Sequence, residues 1–311
     1  MPIPILKLPH VIFQCVIHQL NHFDLIHLCT HYKSFVTTLA KWRIAVETFE
    51  FQITNDTCMA SWNGLELKIW LRTYLNPYGP GVRLSNNEKF INLKVSGNLK
   101  KTPLQKMENV LDNIFQVLKI QNFDFNFCTG LSISPREIFI WSKVKKFRNF
   151  SITSSPGFSE KLSPEDFHFF LQEIQVDNLT LDVLGVDQKY EYTKPIRARK
   201  VVLKDARWLY SDILNWTSSE VTIEYPEFNL YQVQDFLRAW LRSENVTLKR
   251  FSVPIICYKI KVPEERLYID AREILEERAT LVEKVLRRQR DEMKARATVT
   301  RGSFKFELLE E

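Results

Sequence analysis

Hydrophobic and polar positions alternate with two periods along this chain, and the period switches repeatedly. Near the start, Ile12, Phe13, Val16, Ile17 and Leu20 fall at i, i+1, i+4, i+5 and i+8, one apolar face at helical period. Pro9 suits a first helical turn, where a missing N–H costs nothing. Asn21 can stop that helix. A second short helix is expected to carry Leu25, Ile26, Leu28 and Cys29, and a third Phe35, Val36, Leu39 and Ala40. Three such helices are too small to close a core alone, so they need a partner or the rest of the chain.

Beyond them, strand-like runs alternate with helical ones. Residues 90–95 read as a strand. Residues 102–119 read as a helix with Thr102 as cap and Pro103 at its first position. The period-two run 123–127 follows, then a Ser134-Pro135 helix start, a strand over 147–153 and a Ser163-Pro164 helix with Glu165 and Asp166 near its N-terminus. Strands at 178–184, 199–206, 219–225 and 248–254 alternate with helices at 207–216 and 229–243, the second capped by Asn229. One strand and one helix per unit predict an α/β, leucine-rich-repeat-like strand–helix solenoid with a parallel sheet over about 85–255. Residues 263–296 are charged and rich in helix formers. Glu283–Arg287 and Glu292–Arg296 are spaced to pair on a helix, with Leu275, Leu281, Val282, Val285 and Leu286 as a partial stripe.

Composition narrows the function classes. The chain has 311 residues, 45% of them hydrophobic and 13% aromatic, enough to bury a sizeable core. Only 8 are Gly, against phosphate-cradling loops. Five scattered cysteines, an odd number, do not make a disulfide framework and read as free thiols of a reducing, intracellular compartment. No stretch reaches the length of a membrane span, and the N-terminus lacks a signal-peptide pattern. A net charge of +6 permits an acidic partner without demanding nucleic acid.

Candidate chemistry is sparse. Five of the six histidines lie between His10 and His31, and Cys15, His18 and His22 run as Cys-x-x-His-x-x-x-His. The helix break at Asn21 splits this cluster, and His10, Gln14, His18 and Gln19 all avoid the apolar stripe. A polar helix surface is therefore expected, with no metal or other cofactor. Only His168 lies outside that stretch, which leaves a nucleophile–His triad almost no candidates. Gly-x-Gly-x-x-Gly, Gly-x-Ser-x-Gly and His-Glu-x-x-His are absent. A non-catalytic protein is expected.

Two segments carry resemblances. Leu8-Pro9, Ile12, Val16-Ile17, Leu20 and Asp24-Leu25 resemble an F-box at the family's spacing, and Pro4 and Leu6 match the lead-in of nematode members. Val11 stands where a Glu is common, and Phe35 where a Trp often closes the motif. The stretch 206–255 is similar to the nematode type 2 F-box-associated domain through Trp208, Leu214, Val221, Ile223, Phe236-Leu237, Trp240, Leu248 and Phe251. A fainter resemblance links residues 287–309 to the Arg-Asp-Gly…Ala-Thr hairpin of such proteins, with Glu292 and Met293 in the Gly region. Together these imply an F-box over 1–45, an F-box-associated α/β domain over 46–260, and a charged helix with a C-terminal strand segment over 261–311.

The resemblance implies a substrate receptor of a Skp–cullin–F-box ubiquitin ligase. Leu8, Pro9, Ile12, Val16, Ile17, Leu20, Asp24 and Leu25 would bind the Skp-type adaptor, and through it a cullin. The solenoid would hold a target protein, raising the effective concentration of its lysines near the conjugating enzyme. Phe236, Leu237 and Trp240 themselves read as the core face of a helix. The alternative is a basic interaction protein for nucleic acid or another acidic partner, which would need clustered Lys/Arg with exposed aromatics.

Overall fold

A computed structural model describes residues 8–41, 43–71, 82–86, 89–93, 102–129, 134–154, 162–182, 192–206, 213–244, 247–256, 281–300 and 302–309. Among these are seven α-helices and fourteen β-strands, a mixed α/β protein. The chain divides into two compact units, Met1–Arg148 and Asn149–Glu311.

The first unit opens with α1 (His10–Gln19), α2 (His22–His31) and α3 (Lys33–Leu39). Strands β1 (Ile44–Ile53), β2 (Thr57–Trp62), β3 (Leu65–Trp70), β4 (Val82–Ser85) and β5 (Phe90–Leu93) follow, then α4 (Pro103–Val117), β6 (Leu118–Cys128) and the single turn α5 (Ile140–Lys143). The sheet order is β6-β1-β2-β3-β4-β5. β1 lies parallel to β6, and every step from β1 to β5 is antiparallel. In β2 and β3, alternate residues are buried, so one face meets the core and the other solvent. Asn63 and Gly64 join them with φ of 45° and 74°, the left-handed pair of a tight hairpin turn. α2 packs on β4, and α4 on β3, β4 and β6, covering the inner face. Phe49 stacks on Trp62 at 5.3 Å there, and Phe51 meets Phe125 at 5.5 Å. Thr102 and Gln105 form a reciprocal capping box at the start of α4, with Pro103 at its first position, as expected.

The second unit begins within β7 (Lys146–Thr153) and holds α6 (Pro164–Gln172), β8 (Gln175–Asp182), β9 (Ala198–Leu203), β10 (Glu220–Ile223), α7 (Leu230–Arg242) and β11 (Arg250–Pro254). It closes with β12 (Leu281–Arg287), β13 (Lys294–Thr300) and β14 (Ser303–Leu309). Strands β8 to β11 run parallel in sequence order. β14 then adds antiparallel to β11, followed by β13 and β12. Leu237 and Trp240 are buried on the inner side of α7, and Phe236 meets Phe251, Phe304 and Phe306 at 4.7, 5.9 and 5.4 Å. The core role expected for these three residues is what the structure shows. On the opposite face, Lys200, Glu220, Arg250 and Glu307 form a cross-strand ladder, each contact 3.5 Å, and Arg296 reaches Glu283 at 3.3 Å.

Several expectations are corrected. Residues 281–296 are not helical: they form β12, a turn and the first three residues of β13, and Glu283 pairs across strands with Arg296 instead of along a helix with Arg287. Antiparallel pairing of β12 with β13, and of β13 with β14, overrides the helix propensity of that segment. The first part of the expected C-terminal helix, 263–280, lies outside the described residues. The helix start at Ser134-Pro135 gives only a 3₁₀ turn, Pro135–Glu137, and then α5. Ile138 between them is extended and buried, and the Trp141 indole N–H donates to the Pro135 carbonyl at 2.7 Å. Of the expected helix 207–216, residues 207–212 lie outside the described set and Ile213–Asn215 is a 3₁₀ turn. The parallel order expected of strand–helix units holds for β8 to β11. At the start of the expected range, however, β4 and β5 pair antiparallel, and the range spans two compact units instead of one. Strands β1 to β4 are additional to the expected elements.

Candidate functional site

The three N-terminal helices form where their periodicity places them. Pro9 precedes the first helical residue of α1, and Leu20 ends the helix, its backbone N–H bonding back to Val16 and Ile17. Asn21 acts at the other side of that break: its side-chain oxygen accepts the Asp24 N–H at 2.9 Å and caps α2. Phe13 and Ile17, one turn apart, point inward and are buried. Phe13 meets Phe35 of α3 edge-on at 6.1 Å. Phe23, Leu25, Ile26 and Cys29 of α2 and Val36 and Leu39 of α3 are buried with them.

α1 has more apolar residues than this packing uses. At 3.6 residues per turn, Phe13, Val16, Ile17 and Leu20 share one side, while Val11, Ile12 and Cys15 fall on the other flank. Val11 is 68% exposed and Ile12 50%, and Cys15 is exposed beside them. Leu8 is half-buried and Pro9 exposed just before the helix. The expected adaptor-binding residues thus divide. Leu8, Pro9 and Ile12 are accessible, Val16, Leu20 and Asp24 are half-buried, and Ile17 and Leu25 are inside the chain, at 6% and 3% exposure. Val11, outside the expected set, is the most exposed large apolar residue of the helix. Its position opposite Phe13 and Ile17 on the helical wheel is the signal that marks it.

The histidines separate in the same way. His22 is half-buried beside Asn63, 3.4 Å between side-chain nitrogens. His27 and His31, one turn apart on α2, meet edge to face at 4.5 Å. His31 Nδ1 lies 3.0 Å from the His27 carbonyl oxygen, so Nδ1–H donates there. Burial holds the His27 imidazole below its ordinary pKa, the His31 charge adds to this, and Asp24 opposes it. The side chains of His10, Gln14 and His18 lie outside the described set. Cys29 is in the core, where burial pushes its thiol up to about 12, and burial raises Cys58 likewise. Among the described residues no group of three or more His, Cys, Asp or Glu is placed to hold a metal ion. Nor is any described helix long and apolar enough to cross a membrane. Trp208, part of the second resemblance, lies outside the described residues.

No protein-family model, curated protein or solved structure matches this chain. The candidate site therefore rests on its own geometry: an apolar flank of a short helix, left open by a core that is already full.

Proposed function

We propose that this chain is a substrate receptor of a Skp–cullin–F-box ubiquitin ligase, with α1 as the adaptor-binding element and the α/β remainder as the part that holds a target protein. The observation that carries this reading is the open flank of α1, where Val11 and Ile12 stand in solvent although Phe13 and Ile17 beside them are buried. Water-exposed apolar side chains grouped next to Leu8 and Pro9 are the pattern of an interface anchor. The F-box resemblance of Leu8-Pro9, Ile12, Val16-Ile17, Leu20 and Asp24-Leu25 names the partner: a Skp-type adaptor, and through it a cullin. Ile17 and Leu25 serve it indirectly, by fixing α1 and α2 against each other. The parallel run β8 to β11 is the part closest to a leucine-rich-repeat-like scaffold for the target. In this reading the chain supplies proximity and no catalytic group, and it acts inside the cell, where the adaptor is.

The test is capture of a purified Skp-type adaptor by the full chain and by its Leu8→Ala/Pro9→Ala variant. Both residues precede α1, so the substitutions disturb the helix core least. The wild type should retain adaptor and the folded variant should lose it. Equal retention would remove these residues from the interface, and no retention by either would remove the ligase assignment.

A further inference from the structure

We propose that the open face of the sheet β1–β5 pairs with the same face of a second copy of this chain. The inner face of this sheet is covered by α2 and α4, so the residues between the buried ones point outward. The strand register sorts them into two rows that cross the strands. Gln52, Met59, Lys68 and Arg83 make one row, neutral to basic. Glu50, Ser61, Glu66, Ser85 and Phe90 make the next, neutral to acidic. Lys68 lies over the Trp70 ring at 5.3 Å and Arg83 over the Phe90 ring at 4.2 Å, and Phe90 is 53% exposed.

The charges of this face differ from those of the second unit. There, Lys200, Glu220, Arg250 and Glu307 answer one another across strands. Here, neither Lys68 nor Glu66 makes an ion pair among the described residues, although they sit two positions apart on β3. Met, Arg and large aromatics are the side chains that interface cores favour.

The two rows are complementary to each other. A two-fold axis lying in the interface, parallel to the rows and between them, turns the basic row of one copy onto the acidic row of the other. Lys68 then faces Glu66 of the second copy, and Glu66 faces its Lys68. The same axis brings Trp70 over the Asn63–Gly64 turn of the second copy, where the absent Gly64 side chain leaves open space: nothing lies within 4 Å of a Cβ built there. A nucleic acid fits less well, because Glu50 and Glu66 would repel its phosphates. Five strands about 4.8 Å apart and some 20 Å of strand length give on the order of 500 Å² per copy, close to the lower bound of a specific interface. The dimer is therefore weak, with dissociation in the micromolar range or above, and it loosens with salt.

Sedimentation of the full chain across the micromolar range tests this. The wild type should show a concentration-dependent monomer–dimer equilibrium that shifts toward monomer at high salt. Lys68→Glu and Glu66→Lys should each weaken it roughly tenfold or more, a loss equivalent to about 1.4 kcal/mol. The double variant Glu66→Lys/Lys68→Glu should restore it, because each copy then offers the exchanged pair to the other. Circular dichroism checks that these surface variants fold, and the milder Lys68→Ala replaces Lys68→Glu if that one does not. A chain that stays monomeric at every concentration overturns the proposal. So does a dimer that ignores both single variants, a double variant that is not restored, or a monomer in which Lys68→Glu abolishes capture of a different protein.

Discussion

Arg288 is fully buried, and a buried guanidinium is tolerable only where its charge and donors are met. Nε and Nη2 bind the two carboxylate oxygens of Asp291 at 2.9 and 2.6 Å, and Nη1 donates to the Ser243 carbonyl at 3.1 Å. The guanidinium also lies 5.2 Å over the Trp240 ring. It thus ties the turn between β12 and β13 to the end of α7. Arg288→Ala should lower the melting temperature by several degrees while the helix content at room temperature stays. Trp240→Ala, an emptied aromatic site, should cost about 3–5 kcal/mol in urea unfolding. The hydrogen bond from Arg288 holds the Asp291 carboxyl below its usual range. A depressed carboxylate contributes stability above its unfolded pKa and loses it as pH falls through the folded value. Acid unfolding should therefore be less steep in Asp291→Asn. His27 has the same sign with different chemistry. Its folded pKa is depressed, so the unfolded chain takes up the proton first. The His27 contribution is complete above about 6.5 and declines as pH drops below that value. His27→Gln should flatten the pH dependence of melting between pH 7.5 and 5.5. The core role of Trp240 was legible from its i, i+4 spacing with Phe236. The Arg288–Asp291 pair was not, because a turn between strands was hidden inside a segment with helix-like charge spacing.

At the scale of elements, caps and turns decide most boundaries. Asn229 and Gln232 close a capping box on α7, each side chain bonding the other's backbone N–H at 2.9 Å. Asn229→Ala should cost about 1 kcal/mol, measurable in urea unfolding, with Asn229→Ser recovering most of it. The helices with a clear cap, α4, α6 and α7, were readable because Thr102, Ser163 and Asn229 stand before an amphipathic run. The hairpin β2–β3 was equally marked, by Asn63-Gly64 between alternating runs, yet a reading led by strand–helix alternation passes over it. β12 and β13 are the harder case. Their residues favour a helix locally, and successive antiparallel pairing, β12 on β13 and β13 on β14, makes them strands. Glu292 at the turn adopts φ of 60°, the left-handed region that Gly occupies most easily.

At the scale of the whole molecule, the first unit combines the N-terminal helices with mostly antiparallel strands, and the second joins a parallel run, β8 to β11, to the antiparallel strands β14, β13 and β12. The helices were legible in full, and so was the parallel run β8 to β11. The division into two units was not, since alternating strands and helices look alike whether they build one body or two. Of the candidate site, the sequence pointed to the right helix, but periodicity alone could not tell that Ile12 faces water while Ile17 is buried; that depends on which flank Phe35 of α3 fills. The central claim is that the open flank of α1 is an adaptor-docking surface. Its most direct measurement is a calorimetric titration of a purified Skp-type adaptor into the full chain and into its Val11→Ala/Ile12→Ala variant. Both residues are solvent-exposed, so the variant should melt like the wild type. Losing two interface anchors should weaken binding roughly 100-fold, at about 1.4 kcal/mol per decade. A folded wild-type chain that does not bind the adaptor, or a variant that binds it as tightly as the wild type, would contradict the account.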